Sequence, residues 1–167
     1  QMSDIRRARD IAATFEVSPY IWYPHPIIPD HAKAIGPERM KRAWPVRDML
    51  DAGALVVPGS DWAVVDSVNP WIAIETLVTR QKPGGSDETM AEGQKITLKQ
   101  AIDLFTVNSA RAMGNADKTG RIETGMLADL IVLDRNPYKI PITEVHGTVV
   151  KKVIVNGEVV YEGAGSI

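Results

Sequence analysis

Cysteine is absent from the 167 residues, which excludes disulfide frameworks, thiolate nucleophiles and cysteine-ligated zinc together. Any metal site must therefore use histidine or carboxylate. Histidine is scarce as well, with His25, His31 and His146 the complete set. None of them stands in a His-x-His or His-x-x-x-His spacing, so histidines alone make no metal site. His25 and His31 fall in a proline-rich stretch that reads as a loop, and His146 falls in a β-rich tail. A charge excess is also missing. The formal net charge is −2 with both signs interspersed, so there is no footprint for nucleic acid or an anionic membrane surface, and the partner expected is a small molecule or a protein. No apolar run approaches the ~20 residues that span a bilayer, and the N-terminus lacks the order of a signal peptide. The expectation is a soluble protein, with the cytoplasm the favoured compartment. The first residue is Gln1 rather than Met, which agrees with a segment taken from a longer chain.

What is present suffices for one ordinary core, since 44% of the residues are hydrophobic. Ser3 can cap a short helix that carries Ile5, Ala8 and Ala12 on one face, and "TFEVSPY" follows as a strand. A second helical stretch opens at Pro37, is interrupted at Pro45, resumes through Val46, Met49 and Leu50, and closes at Gly53. "ALVVP", residues 54–58, is apolar throughout, as a parallel strand buried on both faces would be. The connection between the strands contains helix, so the whole reads as a βαβ unit. A helix is expected from Pro70 through Arg80, then an exposed or mobile loop rich in glycine and charge around "KPGGSDETMAEG". "TLKQAIDLFTVNSARAMG" places Gln100 three residues after Thr97, the capping-box spacing. Its apolar stripe is Leu98, Ala101, Ile102, Phe105 and Ala112, and Gly114 ends it. From Gly120 onward the period turns strand-like, in "LADLIVLD" and in two alternating runs around Asn156-Gly157, the strongest short-range hairpin signal.

The stretch "VVPGSDW" sets Asp61 just past the end of the second strand. Ligands of α/β proteins bind outside the C-terminal ends of parallel strands. A carboxylate there can ligate a divalent metal or take a proton from a bound water; equally, it can cap the turn that follows. His25, with Tyr20 and Trp22, follows the first strand and can line the same crevice, or pack at the surface. Trp62 and Trp71 read as packing or pocket-lining side chains. "PGGSDE" has neither the preceding strand nor the lysine of a phosphate loop, and "PGSDW" is not a Gly-x-Ser-x-Gly nucleophile elbow.

Taken in order, "VVPGSDW", "TLKQAIDLFTVNSARAMG", "GRIETGMLADLIVLDRNP" and "VKKVIVNGEVVYEG" resemble the C-terminal part of an amidohydrolase-superfamily hydrolase, in the branch called amidohydrolase family 3. The resemblance implies an α/β fold: the last part of a (β/α)₈ barrel, about two βα units, over residues 1–117, and a small β-sandwich portion over residues 118–167. It makes "TFEVSPY" the seventh and "ALVVPGSD" the eighth barrel strand, and Asp61 both a metal ligand and the catalytic carboxylate. Tyr20, Trp22, His25 and Trp62 become substrate contacts. The implied cofactor is a divalent metal, zinc in the first instance. Such a barrel needs ~250 residues and eight strands, and the family's other ligands have no counterpart here.

Two functional readings follow. In the first, the parent protein hydrolyses an amide or cyclic amide C–N bond through a metal-activated water, and this chain alone is inactive. In the second, the chain is a non-enzymatic interaction or oligomerisation module. The expected partners are an amide-type small molecule and either a second copy or the missing N-terminal part. Neither nucleic acid nor membrane is expected.

Overall fold

The computed structural model describes residues 2–163; Gln1 and residues 164–167, the outer ends of the two expected units, lie outside the described residues. The architecture is α/β. Helix α1 (Met2–Asp10) precedes strand β1 (Thr14–Val17), and a 3₁₀ turn at Pro19–Ile21 follows directly. The strand is therefore shorter than "TFEVSPY", because Pro19 sets the turn. Ser3 lies inside α1 rather than capping it, and of the expected face Ile5 alone is buried. Helices α2 (Ile28–Ile35), α3 (Pro37–Met40) and α4 (Val46–Asp51) then carry the chain to β2 (Leu55–Pro58). The α2 helix occupies a stretch expected as loop, and His31 lies on it. Pro29 sits in its first turn, where the missing N–H costs no helix bond.

Strands β1 and β2 pair in parallel, Thr14 against Leu55 through Val17 against Pro58, so the helical crossover is obligatory. Phe15, Val17 and Val56 pack into the main core, while Thr14 and Glu16 are exposed. That core is closed by α5 (Pro70–Thr79) and α6 (Leu98–Asp103), whose Ile74, Leu77 and Ala101 meet Val56, joined by Leu104. Burial of a side chain such as Val56 or Leu77 contributes about 1.5–3 kcal/mol. In β2 only Val56 is fully buried, a correction to the expected burial on both faces. No strand lies on the second edge of β2 among the described residues. Gly59 N–H donates to Val17 C=O at 2.7 Å, so the alternation of the strand turns Val56 C=O to the opposite edge, where Asn108 Nδ2 donates to it at 2.9 Å.

Asn69 caps α5 by accepting from Trp71 N–H at 3.1 Å, with Pro70 in the first turn. Arg80 ends this helix in a left-handed conformation, φ 55°. The glycine-rich loop after it is not uniformly exposed: Met90, Ala91 and Gln94 are buried. Its anchor is Arg80, whose Nε donates to Met90 C=O at 3.2 Å and whose own C=O accepts from Met90 N–H at 3.0 Å. Thr97 and Gln100 form the expected capping box of α6. The helix continues through a wider π turn, Leu104–Asn108, into α7 (Ser109–Ala112), and Ser109 Oγ supports that turn by donating to Leu104 C=O at 2.8 Å. The expected stripe is corrected at its end, because Ala112 is exposed and Ala110 is buried beneath Gly120.

Strands β3 (Leu130–Leu133), β4 (Val150–Val155) and β5 (Glu158–Glu162) form an antiparallel sheet in that order. The β4–β5 turn has φ 50° at Asn156 and 85° at Gly157, the pair of positive values that Asn-Gly accepts at little cost. Every residue of β5 is exposed. A 3₁₀ segment, Ile142–Gly147, packs on α5 and buries Val145. No described helix is long and apolar enough to cross a membrane.

Candidate functional site

Asp61 lies three residues beyond β2, in a turn made by its own neighbours. Ser60 Oγ accepts from Trp62 N–H at 3.2 Å, and Asp61 C=O accepts from Val64 N–H at 2.8 Å. The backbone at Asp61 is left-handed, φ 58°, a conformation that Asp tolerates better than most residues. The cap is thus supplied by Ser60. The Asp61 carboxylate is exposed and makes no hydrogen bond among the described residues. It is left available to a ligand.

Gly59 matters through what it leaves room for. A Cβ there would collide with the Glu16 carboxyl group, so glycine allows that side chain to lie across the end of the strand pair. Glu16 was not singled out from the sequence, although period-two alternation in "TFEV" places it opposite Phe15 and Val17, on the face away from the helices.

The loops that leave the two strands enclose a cavity of about 370 Å³. Tyr20, Tyr23 and His25 come from the first loop, Val64 and Asp66 from the second, and Ile72 from α5. The structure thus brings Tyr20 and His25 to one cavity, while Asp61 and Trp62 lie in the turn just before its second wall and do not line it. Tyr20 is held rigidly, its hydroxyl donating to Val68 C=O at 3.0 Å. His25 meets Tyr23 edge-on at 5.9 Å. Burial first, and the Asp66 charge second, raise the Tyr23 phenol above its ordinary range. Trp62 is 66% exposed beside Asp61.

Trp22 is placed elsewhere: only 4% exposed, it stacks on Trp44 at 5.5 Å, with the Arg80 guanidinium 5.2 Å above it. That environment is core. Arg80 itself is fully buried with no acidic partner among the described residues, and desolvation lowers it to about 10. A larger cavity, about 850 Å³, lies between α1 and α3–α4 and is lined by none of Tyr20, Trp22, His25, Asp61 and Trp62.

The histidines stay apart. His31 tilts against Trp44 at 5.9 Å, and His146 Nδ1 lies 2.8 Å from Glu75 Oε2. Glu75 is fully buried, and its carboxylate also accepts from Gly84 N–H at 2.8 Å and His146 N–H at 2.7 Å. This pair joins segments 71 residues apart and has no local sequence signal. Among the described residues no group of three His, Asp or Glu side chains can hold a metal. A divalent ion needs three or four protein donors, so these residues do not make a metal site. Asp61 fits as one donor of a larger set.

Known proteins place the chain more firmly. It is 34% identical over 125 residues to the N-substituted formamide deformylase of Arthrobacter pascens, covering 75% of this chain and 22% of that one. It is 34% identical over 117 residues to the imidazolonepropionase of Porphyromonas gingivalis, covering 70% and 25%. An uncharacterized metal-dependent hydrolase from Pyrococcus horikoshii shares the fold, with a TM-score of 0.69 and 23% identity over 84% of this chain and 28% of that one. The chain therefore spans about a quarter of the length of these relatives. The amidohydrolase family profile matches residues 1–161, and by that match the chain belongs to the amidohydrolase family of hydrolases.

Proposed function

We propose that this chain forms the last two βα units of a (β/α)₈ barrel, residues 1–117, with a β-sandwich portion from residue 118 on, in an enzyme that hydrolyses amide or cyclic amide C–N bonds. The observation that carries the reading is Asp61: an exposed carboxylate, free of capping duty, just beyond the C-terminal end of a parallel strand. Catalytic groups of such barrels come from these strand ends. Relatives named for a substituted formamide and an imidazolone support the bond class.

Asp61 accepts a proton from the attacking water and returns it to the leaving nitrogen, base and then acid. Tyr20, His25 and Trp62 flank the substrate, and Trp22 backs them from the core. Asp61 would be one ligand of the family's divalent metal, zinc in the first instance, with the other donors from outside this chain, and the metal would activate the attacking water; the chain alone is inactive. Apolar residues exposed on β3–β5 support cover by the rest of the protein or by a second copy.

Asp61→Asn in the whole enzyme tests the reading. Asn keeps the shape and suits the turn but cannot accept the proton, so turnover of a formamide should fall about 10²–10⁴-fold with the thermal melt unchanged. A rate near wild type returns Asp61 to the turn.

A further inference from the structure

The cavity next to the Asp61 turn has a lopsided lining. Its walls are the rings of Tyr20 and Tyr23 and the aliphatic side chains of Val65 and Ile72. Its volume of about 370 Å³ lies at the small end of ligand pockets, which run from about 300 to 1,000 Å³. One ring-sized apolar group fills such a space. Among its lining residues Asp66 is the single carboxylate, and there is no lysine or arginine; the other titratable side chains are His25 and the phenols Tyr20 and Tyr23. Asp66 is exposed and makes no ion pair or hydrogen bond among the described residues. It is nevertheless close enough to Tyr23 for its charge to act on that phenol. A carboxylate on an apolar pocket without a fixed cation attracts positive charge and repels negative charge.

We propose that this cavity is the specificity pocket of the amidohydrolase site, and that Asp66 selects substrates whose ring-sized group carries a protonated amine. The proposal rests on the amidohydrolase reading of Asp61. Val64 N–H is bonded to Asp61 C=O, so the pocket wall starts where the catalytic turn ends. A group seated against Tyr23 and Ile72 is thereby held beside the turn that carries Asp61, and charge discrimination there falls on binding rather than on chemistry.

Two measurements on the whole enzyme test it. The first is binding of benzylamine, benzyl alcohol and benzoate, followed by ligand-detected NMR. Benzylamine should bind about three- to fivefold more tightly than benzyl alcohol, the range of a solvent-accessible charge pair, and benzoate most weakly. Asp66→Asn should erase the order, and Ile72→Trp, which fills the cavity, should weaken all three. The second is turnover of N-formylbenzylamines with a para aminomethyl, methyl or carboxylate group. Asp66→Asn should raise KM about three- to fivefold for the aminomethyl compound alone and leave kcat in place. The charge preference surviving in Asp66→Asn, or benzoate binding as well as benzylamine, overturns the proposal. Charge-selective binding without turnover sinks the amidohydrolase reading and keeps the pocket; turnover dependent on Asp61 without charge preference does the reverse.

Discussion

Two strand systems of similar composition meet opposite fates in this molecule. The β1–β2 pair is covered on one face by α5, α6 and the π turn, and Val17 and Val56 are buried there. The β3–β5 sheet is just as rich in Val and Ile, yet none of its strand residues is buried. In the second region it is Pro137, Val145 and Thr148, all outside the strands, that are buried. Strand formation and strand burial are thus separable. The sheet is specified by pairing and by the Asn156-Gly157 turn, while the first region is specified by a core. The Asp61 turn grows from the region that has the core.

The sharpest way to break this contrast is to remove core volume. Leu77 is fully buried against both strands' cover, so Leu77→Ala should cost about 2–5 kcal/mol through lost burial and an unfilled cavity. Urea unfolding of the chain checks it. A cost below about 1 kcal/mol would mean that the stability does not reside where the burial does.

A smaller effect should come from the join between the regions. Glu75→Gln leaves the shape of the side chain but turns an NH₂ toward at least one of the N–H groups that now donate to it. The expected cost is about 1–3 kcal/mol, the size of an unmet buried hydrogen bond. Amide exchange at Gly84 and His146 should quicken while α6 stays protected. Equal protection in both proteins would show that Val145 holds the tail without help from Glu75.

Much of the first region was legible because its signals are local. The Thr97–Gln100 capping box, the helix start at Pro70 and the apolar run of β2 each state their structure within a few residues. Helix α2 was not legible: His25, Pro26 and Pro29 read as loop, and only the placement of Pro29 in a first turn reconciles them with a helix. The tucked glycine-rich loop and the Glu75–His146 join were hidden for a different reason. Arg80 and Glu75 are charged residues that the fold buries on backbone and imidazole partners remote in sequence, and no periodicity announces such a partner. At the site, Asp61, Tyr20 and His25 could be placed from strand ends alone, whereas the inward position of Trp22 depends on Trp44 and Arg80, 22 and 58 residues further on.

The smallest effect expected sharpens the contrast from the other side. Val160 is 60% exposed in the middle of β5, and Val160→Thr exchanges a methyl for a hydroxyl while keeping the β-branched shape that suits a strand. With strand propensity held nearly constant, the substitution reports how dry the surroundings of residue 160 are. On an open face the hydroxyl is solvated, and the stability of the chain should change by no more than about 0.5 kcal/mol. Under a cover the same hydroxyl would be stripped of water without a partner, at a cost of about 1–3 kcal/mol. Urea unfolding at two protein concentrations separates the cases. A small, concentration-independent change means that the sheet stands open in this chain and that its apolar residues await the remainder of the protein. A loss above about 1.5 kcal/mol that grows with protein concentration would instead place a second copy over β3–β5, and the difference between the two regions would then be one of partner rather than of burial.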